Sequence, residues 1–191
     1  EGGAGRQSRL FIVGGGTVTD SGGFAASTFR RGIPFIHIPT TLLAMADAAI
    51  GGKTAVNLGP LKNQAGTFAF PEAVIIHPPF LLTLPEEELL SGYAEMVKTA
   101  IVADKDLFEA LLQMDANALG SGKLPEAAGG GLIMKAALLK AGICARDPFD
   151  RGIRQVLNFG HSVGHALEAL YGGRGRVLRH GHAVAAGMLC E

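Results

Sequence analysis

Short, almost wholly apolar runs alternate with longer segments in the first part of the chain. The runs cover residues 9–13, 33–38 and 73–76, and helix-length segments at 20–30 and 41–50 lie between them. Apolar runs of this length that alternate with helices are typical of parallel strands packed between helices. The pattern therefore predicts that residues 1–84 form an α/β unit built on a parallel sheet.

The pattern changes after Pro85. Three acidic residues, Glu86–Glu88, follow this proline, as at the start of many helices, and apolar residues then recur at helical spacing as far as Met114. Further helices are predicted over 131–146, 155–171 and 182–191, and a loop rich in Gly, Ala and Asn over 115–130. Residues 85–191 are thus predicted to be mostly α-helical.

The helical pattern is still running when the sequence stops at Glu191, and the sequence starts at Glu1 only a few residues before the first apolar run. Helices commonly end on a glycine, a proline or a basic last turn. We therefore expect these 191 residues to be the central part of a longer protein, truncated at both ends.

The charge of the chain is balanced overall but not locally. The 17 basic and 17 acidic residues give a formal net charge of zero, which argues against a nucleic-acid-binding protein. Residues 131–180 nevertheless carry eight bases and three acids, a local excess that suits a small anionic ligand. Because the two cysteines provide no disulfide framework, and no membrane span or signal peptide is predicted, we expect a cytoplasmic protein.

Two glycine-rich segments are candidates for phosphate binding. Gly14–Gly16 follow a strand and precede a helix, where free backbone amides favour a pyrophosphate, although a tight turn explains the pattern equally well. Gly51–Lys53 resemble the end of a phosphate loop, but position 47 is Asp where that loop requires Gly. Lys53, and Lys62 in a further glycine-rich loop, could each contact an anion or lie in an ordinary surface turn.

Glu95 and Lys98 stand three residues apart on a helix that is otherwise largely apolar. This spacing places both side chains on one helical face. A surface ion pair is one explanation, but polar groups among apolar neighbours favour a functional site.

Histidines cluster towards the end of the chain. Four of the six fall within 22 positions, namely His161, His165, His180 and His182. With Glu95 available as a further ligand, the cluster favours a zinc site that keeps one position open for catalysis. A lone histidine is more often structural, as we expect for His37 and His77.

Taken in order, these segments resemble the 3-dehydroquinate synthases. The matching residues run along nearly the whole chain: Gly14-Gly15-Gly16 to Asp20, Arg31-Gly32, Pro39-Thr40-Thr41-Leu42-Leu43, Asp47, Gly51-Gly52-Lys53-Thr54, Val56-Asn57, Lys62-Asn63, Ala94-Glu95, Lys98, Arg154, Asn158, Gly160-His161, Gly164-His165, His180-Gly181 and Ala183-Val184-Ala185. No single motif is decisive, but the ordered set is specific.

The resemblance implies an incomplete Rossmann-like NAD domain over 1–84 and an incomplete helical metal- and substrate-binding domain over 85–191. Members of this family are NAD+- and metal-dependent homodimers, with Zn2+ or Co2+ as the metal. They convert 3-deoxy-D-arabino-heptulosonate 7-phosphate to 3-dehydroquinate and phosphate, in the shikimate pathway. The expected partners are thus a small anionic sugar phosphate and a second copy of the chain, with no nucleic acid and no membrane.

The same resemblance assigns roles to individual residues. The metal ligands would be Glu95, His161 and His180. The residues that bind NAD+ would be Gly15, Gly16, Asp20, Thr40, Thr41, Lys62 and Thr83. The residues that bind the substrate phosphate would be Lys53, Asn63, His165 and the partner subunit's Arg31. The catalytic groups around the substrate would be Asp47, Lys98, Lys140, Arg154, Asn158 and His165.

The chain also departs from the family pattern. His182 stands where the family usually has Glu, a position from which it could hydrogen-bond a metal ligand. Family members begin with further strands and end with further helices, so we expect the 191 residues alone to be inactive.

Three other functions stay open. A sugar-phosphate cyclase of the deoxy-inosose or epi-valiolone type would differ around the substrate carboxylate, and Lys140, Arg154 and Asn158 favour a substrate that carries one. An NAD- and metal-dependent alcohol dehydrogenase of the glycerol dehydrogenase type would lack a phosphate-elimination site, and Lys53, Asn63 and His165 argue against it. A metal-stabilised binding module would have no enzymatic activity.

Overall fold

A parallel sheet forms the first part of the molecule, as predicted. The computed structural model describes residues 3–59, 61–114, 126–176 and 178–191, with the backbone alone at 61, 62 and 126–129. Within the described residues, the strands β1 (Leu10–Gly14), β2 (Phe35–Pro39) and β5 (Ala73–Val74) pair in the order β1-β2-β5. Both pairings are parallel, with Ile12 opposite His37 and His37 opposite Val74.

Helix α1 (Gly16–Thr28) connects β1 to β2 and packs on the sheet. Ile12, Ala26 and Phe35 form a small apolar cluster at this contact. The connection is therefore a βαβ unit, in which the strand ends and the helix N-terminus meet at one edge of the sheet.

A β-hairpin occupies the region for which glycine-rich loops were predicted, and that prediction was wrong. Strands β3 (Lys53–Leu58) and β4 (Leu61–Phe68) pair antiparallel, with Lys53 opposite Phe68. Gly66 obscured the strand pattern in the sequence, yet a Cβ added there would lie 2.4 Å from the carbonyl oxygen of Thr54 on the opposite strand. The glycine thus serves close strand pairing rather than a loop.

The second part of the chain is helical, as predicted. Its helices are α2 (Glu86–Ala103), α3 (Lys105–Leu112), α4 (Glu126–Arg146), α5 (His161–Gly172) and α6 (His180–Met188). Shorter helical segments cover Ala44–Ala48, Pro78–Thr83 and Ile153–Asn158. Asp104 separates α2 from α3, and its side chain accepts a hydrogen bond from the Leu107 N–H at 2.6 Å, which caps α3.

Several predicted boundaries differ from the observed ones. The helix predicted over 155–171 divides before α5, because Gly160 adopts a left-handed conformation with φ of 78°. The helix predicted over 182–191 begins at His180 and ends at Met188. Of the loop predicted over 115–130, residues 115–125 lie outside the described residues, and 126–130 are helical.

The main hydrophobic core lies among the helices and includes part of the α/β unit. Its buried members are Leu42, Met45, Ala46, Leu81, Leu89, Met96, Ala100, Leu107, Leu111, Ile133 and Ala136. The segment after β2 therefore packs directly on α2 and α4, which brings the end of the sheet beside the helical part. No helix in the described part of the chain is long and apolar enough to cross a membrane.

Candidate metal and substrate site

The carboxyl ends of β1 and β2 bring together four of the residues predicted to bind NAD+. Gly15 and Gly16 begin α1, while Thr40 and Thr41 follow β2, and the Thr40 N–H donates to the Gly14 carbonyl at 2.9 Å. A Cβ on Gly15 would lie 2.9 Å from the Thr41 side chain, so the backbone of this turn packs closely against the segment after β2. An edge of this kind is where parallel α/β sheets bind nucleotides.

Asp20 lies farther along α1, near the charged groups of the helical part. Burial raises the pKa of this carboxyl to about 6, Lys140 opposes the rise and Asp47 adds to it. Of the other residues predicted to bind NAD+, Thr83 is exposed at the end of the Pro78–Thr83 segment, and the side chain of Lys62 lies outside the described residues.

Glu95, His161 and His180 meet where α2, α5 and α6 converge. The Glu95 Oε1 atom lies 3.9 Å from His161 Nε2 and 3.5 Å from His180 Nε2. This oxygen is buried and has no hydrogen-bond partner among the described residues. One carboxylate oxygen and two imidazole nitrogens within 4.8 Å of one another fit a zinc-type ion, for which such ligands are typical.

Glycines allow the three helices to approach closely enough for this contact. A Cβ on Gly181 would lie 2.1 Å from the Ser91 carbonyl oxygen of α2, and one on Gly187 would lie 2.0 Å from the Gly160 carbonyl oxygen. The Gly181 N–H also donates to Ser91 Oγ at 2.9 Å. The glycines around the histidines are thus spacers that hold α6 against both neighbours.

A carboxylate also fixes the start of α5. The Glu191 side chain accepts hydrogen bonds from the Gly160 N–H at 2.8 Å and the Val163 N–H at 3.2 Å. These bonds satisfy free amides at the helix N-terminus. They hold the turn that carries His161 in place.

Buried cations and carboxylates surround the candidate metal ligands. Lys98 is 2% exposed, pairs with Glu95 Oε2, and lies 3.4 Å from Asp47 Oδ1. Lys140 Nζ lies 2.8 Å from the same Asp47 oxygen and donates to the Asp47 backbone carbonyl at 2.7 Å. Four ionisable side chains from three separate segments thus form one network.

The network sets the ionisation of Lys98 and Asp47. Burial alone would lower the pKa of Lys98, but Asp47 and Glu95 outweigh that effect and raise it. Burial would raise the pKa of Asp47, but Lys140 and Lys98 hold it well below its usual range. Both groups therefore remain charged at neutral pH, despite their enclosure.

The protonation state and the orientation of the His161 ring suit a metal ligand. Burial lowers the pKa of this imidazole, Glu95 opposes the effect and Lys98 adds to it. The ring is therefore neutral at pH 7, as a metal ligand must be. Its Nδ1 lies 3.2 Å from the Phe159 carbonyl oxygen, and its Nε2 faces Glu95.

His165 completes a group of three imidazole rings. Its ring centroid lies 5.4 Å from that of His161 and 6.1 Å from that of His180. His165 is exposed, which suits the predicted contact with a ligand arriving from solvent. His182 is also exposed on α6.

Glu168 also lies at the site, although the sequence pattern did not predict it. Its Oε1 lies 3.5 Å from His180 Nδ1. The signal available was its position three residues after His165, on the helical face that also carries His161. That signal was too weak without knowledge of how α5 and α6 cross.

The predicted phosphate ligands are not gathered at one point. Lys53 pairs with Asp150, and Arg31 is exposed. The Asn63 N–H bonds Asn57 Oδ1 at 3.0 Å. Asn63 is five residues along β4 from Phe68, the residue opposite Lys53, which corresponds to roughly 17 Å.

Arg154 is buried beside the network rather than within it. It donates from Nη1 to the Pro148 carbonyl at 3.0 Å, and its guanidinium lies 6.0 Å from the Phe68 ring centroid. A Cβ on Gly51 would lie 2.6 Å from Arg154 Nη2. Asn158 lines a shallow depression with Asp150, Ser162 and other neighbours.

Comparison with known proteins relates the two parts of the chain to one family. The family model described as 3-dehydroquinate synthase N-terminal matches residues 1–91, and the one described as 3-dehydroquinate synthase C-terminal matches residues 92–191. The 3-dehydroquinate synthase of Parabacteroides distasonis is 44% identical over 189 residues, which cover 99% of this chain and 52% of that protein. The chain thus spans about half the length of the curated relative that it matches.

Two solved structures are similar to the chain over nearly its whole length. The 2-epi-5-epi-valiolone synthase of Streptomyces hygroscopicus, with NAD+ and Zn2+ bound, is 34% identical with a TM-score of 0.87 over 97% of this chain and 51% of that one. A 2-deoxy-scyllo-inosose synthase complexed with carbaglucose-6-phosphate, NAD+ and Co2+ is 30% identical with a TM-score of 0.84, over 98% and 50%. The α/β and helical arrangement is therefore shared with both.

Proposed function

Because the chain belongs to the 3-dehydroquinate synthase family, we propose that the protein converts 3-deoxy-D-arabino-heptulosonate 7-phosphate to 3-dehydroquinate and phosphate. The observation that carries the proposal is the contact of Glu95, His161 and His180, with the Glu95 oxygen buried and lacking a hydrogen-bond partner among the described residues. Lys98 pairs with the other oxygen of this carboxylate, Glu95 Oε2. The proposed enzyme is a phosphate-eliminating lyase.

We assign NAD+ to the edge formed by Gly15, Gly16, Thr40 and Thr41, with Asp20, Lys62 and Thr83 as further contacts. Zn2+ or Co2+ belongs to Glu95, His161 and His180. When bound, NAD+ accepts a hydride and the metal ion lowers the pKa of the substrate hydroxyl that is oxidised. The structures that carry these cofactors in related cyclases support the assignment.

The chain's own charges orient the substrate. Lys98 and Lys140 are cations that both contact Asp47 Oδ1, and Arg154 has guanidinium N–H groups beyond the one that donates to Pro148. We assign Lys140 and Arg154 to the substrate carboxylate, and Asn158 with Lys98 to its hydroxyls. Lys98 also pairs with Glu95 Oε2, which leaves Oε1 to face His161 and His180.

The substrate phosphate is assigned to Lys53, Asn63 and His165, together with the partner subunit's Arg31 in a homodimer. Lys53 pairs with Asp150 in this structure, so a bound phosphate replaces this carboxylate as the counter-ion of the lysine. Asn63 has to approach from farther along β4. His165, exposed beside the other two imidazoles, is open to solvent.

In the proposed enzyme, residues 1–84 bind the nucleotide and residues 85–191 bind metal and substrate. Since the chain spans about half the length of its relative, we propose that the 191 residues alone release little or no phosphate. A biosynthetic enzyme that acts on small phosphorylated sugars fits the cytoplasm.

A related cyclase activity is the second candidate, because the two structures named above make other carbocycles and are 34% and 30% identical to this chain. The choice of substrate distinguishes the two candidate activities. A sugar phosphate without a carboxylate would not use the carboxylate contacts that we assign to Lys140 and Arg154. Activity with such a substrate, and none with the heptulosonate, would identify the second candidate.

The test uses the full-length protein that contains this segment, and measures inorganic phosphate released from the heptulosonate in the presence of NAD+. We expect release to stop on treatment with a chelator and to return with Zn2+ or Co2+. His180→Ala should lose most bound zinc, whereas His182→Ala, on the same helix but exposed, should keep it. Full activity in a metal-free sample, or zinc loss only in His182→Ala, would contradict the proposal.

A further inference from the structure

His180 lies between two carboxylates, one facing each ring nitrogen. Its Nε2 lies 3.5 Å from Glu95 Oε1, and its Nδ1 lies 3.5 Å from Glu168 Oε1. The Glu168 side chain is 9% exposed and that of His180 is 31% exposed. The Nδ1 atom of His180, on the side of the ring away from Glu95, is thus within hydrogen-bonding reach of Glu168.

A neutral imidazole carries one N–H and one lone pair, and its surroundings decide which nitrogen has which. An ionised carboxylate only accepts hydrogen bonds, so Glu168 favours the proton on Nδ1. The lone pair is then on Nε2, which faces Glu95 and His161. A carboxylate that takes the far N–H of a metal-bound histidine is a common arrangement in zinc proteins.

The two histidine ligands are oriented by different means. Nδ1 of His161 lies 3.2 Å from the Phe159 carbonyl oxygen, an acceptor that no side-chain substitution removes. In His180 the corresponding acceptor, beside Nδ1, is the side chain of Glu168. This difference makes the orientation of one ring, and not the other, open to a mutational test.

Helix packing brings Glu168 to this position. His161, Gly164 and Glu168 follow one another at intervals of three and four residues on the face of α5 that meets α6. A Cβ on Gly164 would lie 3.2 Å from the Ala183 carbonyl oxygen, so the two helices are close at the middle of the contact. Glu168 therefore reaches His180 from the next turn of α5.

We propose that Glu168 is a positioning residue, which holds His180 in the Nδ1–H tautomer with Nε2 directed at the metal position between Glu95 and His161. The proposal rests on the metal-binding part of the proposed function. It assigns to Glu168, on α5, the orienting role that the sequence suggested for His182, a residue exposed on α6 beside His180.

A second metal site is the competing explanation, because His165, Glu168 and His180 also have ligand atoms within 4.8 Å of one another. If both nitrogens of His180 bound ions, the ring would have to lose its remaining N–H proton. His165 is exposed and is free to face a ligand instead. The geometry therefore favours Glu168 as a hydrogen-bond acceptor.

The test compares Glu168→Ala and Glu168→Gln with Glu109→Gln in the full-length protein. Glu109 is a matched control, a helical glutamate with its own cationic neighbour, Lys105, on the exposed surface. Zinc affinity is measured by competition with a chelator, and zinc content per chain by elemental analysis. The Co2+-substituted protein gives an absorption spectrum that reports ligand geometry, and ¹⁵N NMR of the metal-free protein reports the tautomer of His180.

We expect Glu168→Ala to bind zinc roughly 10 to 100 times more weakly, with an altered Co2+ spectrum and a mixture of His180 tautomers. Glu168→Gln should lose less affinity, because its amide oxygen still accepts the Nδ1–H. It should also show mixed tautomers, because its NH2 group can instead donate to Nδ1. The control should match the parent protein, with one zinc per chain in each.

Zinc affinity and tautomer unchanged in both Glu168 variants would overturn the proposal. Two zinc ions per parent chain, reduced to one in Glu168→Ala, would show the second metal site instead. If the parent protein binds no metal, the proposed function fails, and the tautomer measured without metal still decides the role of Glu168. The isosteric Glu168→Gln keeps the test open if the alanine variant does not fold.

Discussion

At the scale of single residues, Asp20 shows how burial changes the chemistry of a carboxyl. Its pKa of about 6 in the folded protein lies above the usual value of 3.8. The folded state therefore holds the proton more tightly than the unfolded state does. The stability that this proton contributes is complete below about pH 4 and is lost as the pH rises to about 6.

We therefore expect Asp20→Asn to stabilise the protein without added NAD+ at pH 7, by up to about 3 kcal/mol, and to have little effect at pH 4. The amide resembles the protonated carboxyl and avoids the cost of burying a charge. Urea unfolding of the parent and the variant across this pH range measures the difference. Asp106→Asn, in the exposed first turn of α3, is the control. A difference in the free energy of unfolding between Asp20→Asn and the parent that does not change with pH would contradict the expectation.

The residue types indicated a candidate metal site formed by Glu95 and four clustered histidines, and the resemblance to the family selected Glu95, His161 and His180 among them. The sequence could not indicate their partners. The approaches of Glu168 to His180 and of Asp150 to Lys53 depend on how separate segments cross. Such contacts have no fixed spacing along the chain, and a sequence pattern therefore cannot report them.

At the scale of elements, close helix contacts determine whether the candidate metal ligands can meet. Gly181 has no room for a side chain, since its Cβ would lie 2.1 Å from a backbone oxygen of α2. Gly142 lies within α4, and a Cβ added there would meet no atom within 4 Å other than the adjacent backbone of its own helix. The same substitution at these two positions should therefore have opposite effects.

We expect Gly181→Ala to displace α6 from α2, to weaken zinc binding at least about tenfold, and to lower the unfolding temperature. Gly142→Ala should raise stability by up to about 1 kcal/mol, because alanine favours the helical conformation. Thermal unfolding with and without zinc, in the full-length protein, measures both effects. Equal behaviour of the two variants would show that the contact at Gly181 does not set the distance between His180 and Glu95.

The elements that the sequence predicted correctly are those with a regular apolar pattern. The β1 and β2 strands and the α2 helix are examples, and the parallel sheet followed by helices is confirmed. The hairpin of β3 and β4 was missed because Gly59 and Gly66 interrupt its alternation. The division before α5 was missed because one positive φ, at Gly160, leaves no periodic signal.

At the scale of the whole molecule, β1 is the edge strand of the parallel sheet in the described residues and carries two exposed apolar side chains. Phe11 is 57% exposed and Val13 is 54% exposed. An unpaired strand edge with apolar side chains promotes association between chains. Leu138 is similarly exposed, at 64%, but lies on a helix.

We expect the 191-residue chain, produced by itself, to associate with increasing concentration. A lysine at position 11 should reduce this association, because a charged edge strand resists pairing. Leu138→Lys should change it much less. Sedimentation at several concentrations compares Phe11→Lys, Leu138→Lys and the parent chain. A parent that stays monomeric at every concentration would show that the edge is protected in some other way.

The network of Lys98, Lys140, Asp47 and Glu95 is electrically neutral, because its two positive and two negative charges cancel. A divalent cation between Glu95, His161 and His180 would add two positive charges to this four-residue network. An anionic sugar phosphate would supply the missing negative charge. In the proposed enzyme, metal ion and substrate therefore strengthen each other's binding, and thermodynamic reciprocity makes the factor the same in both directions.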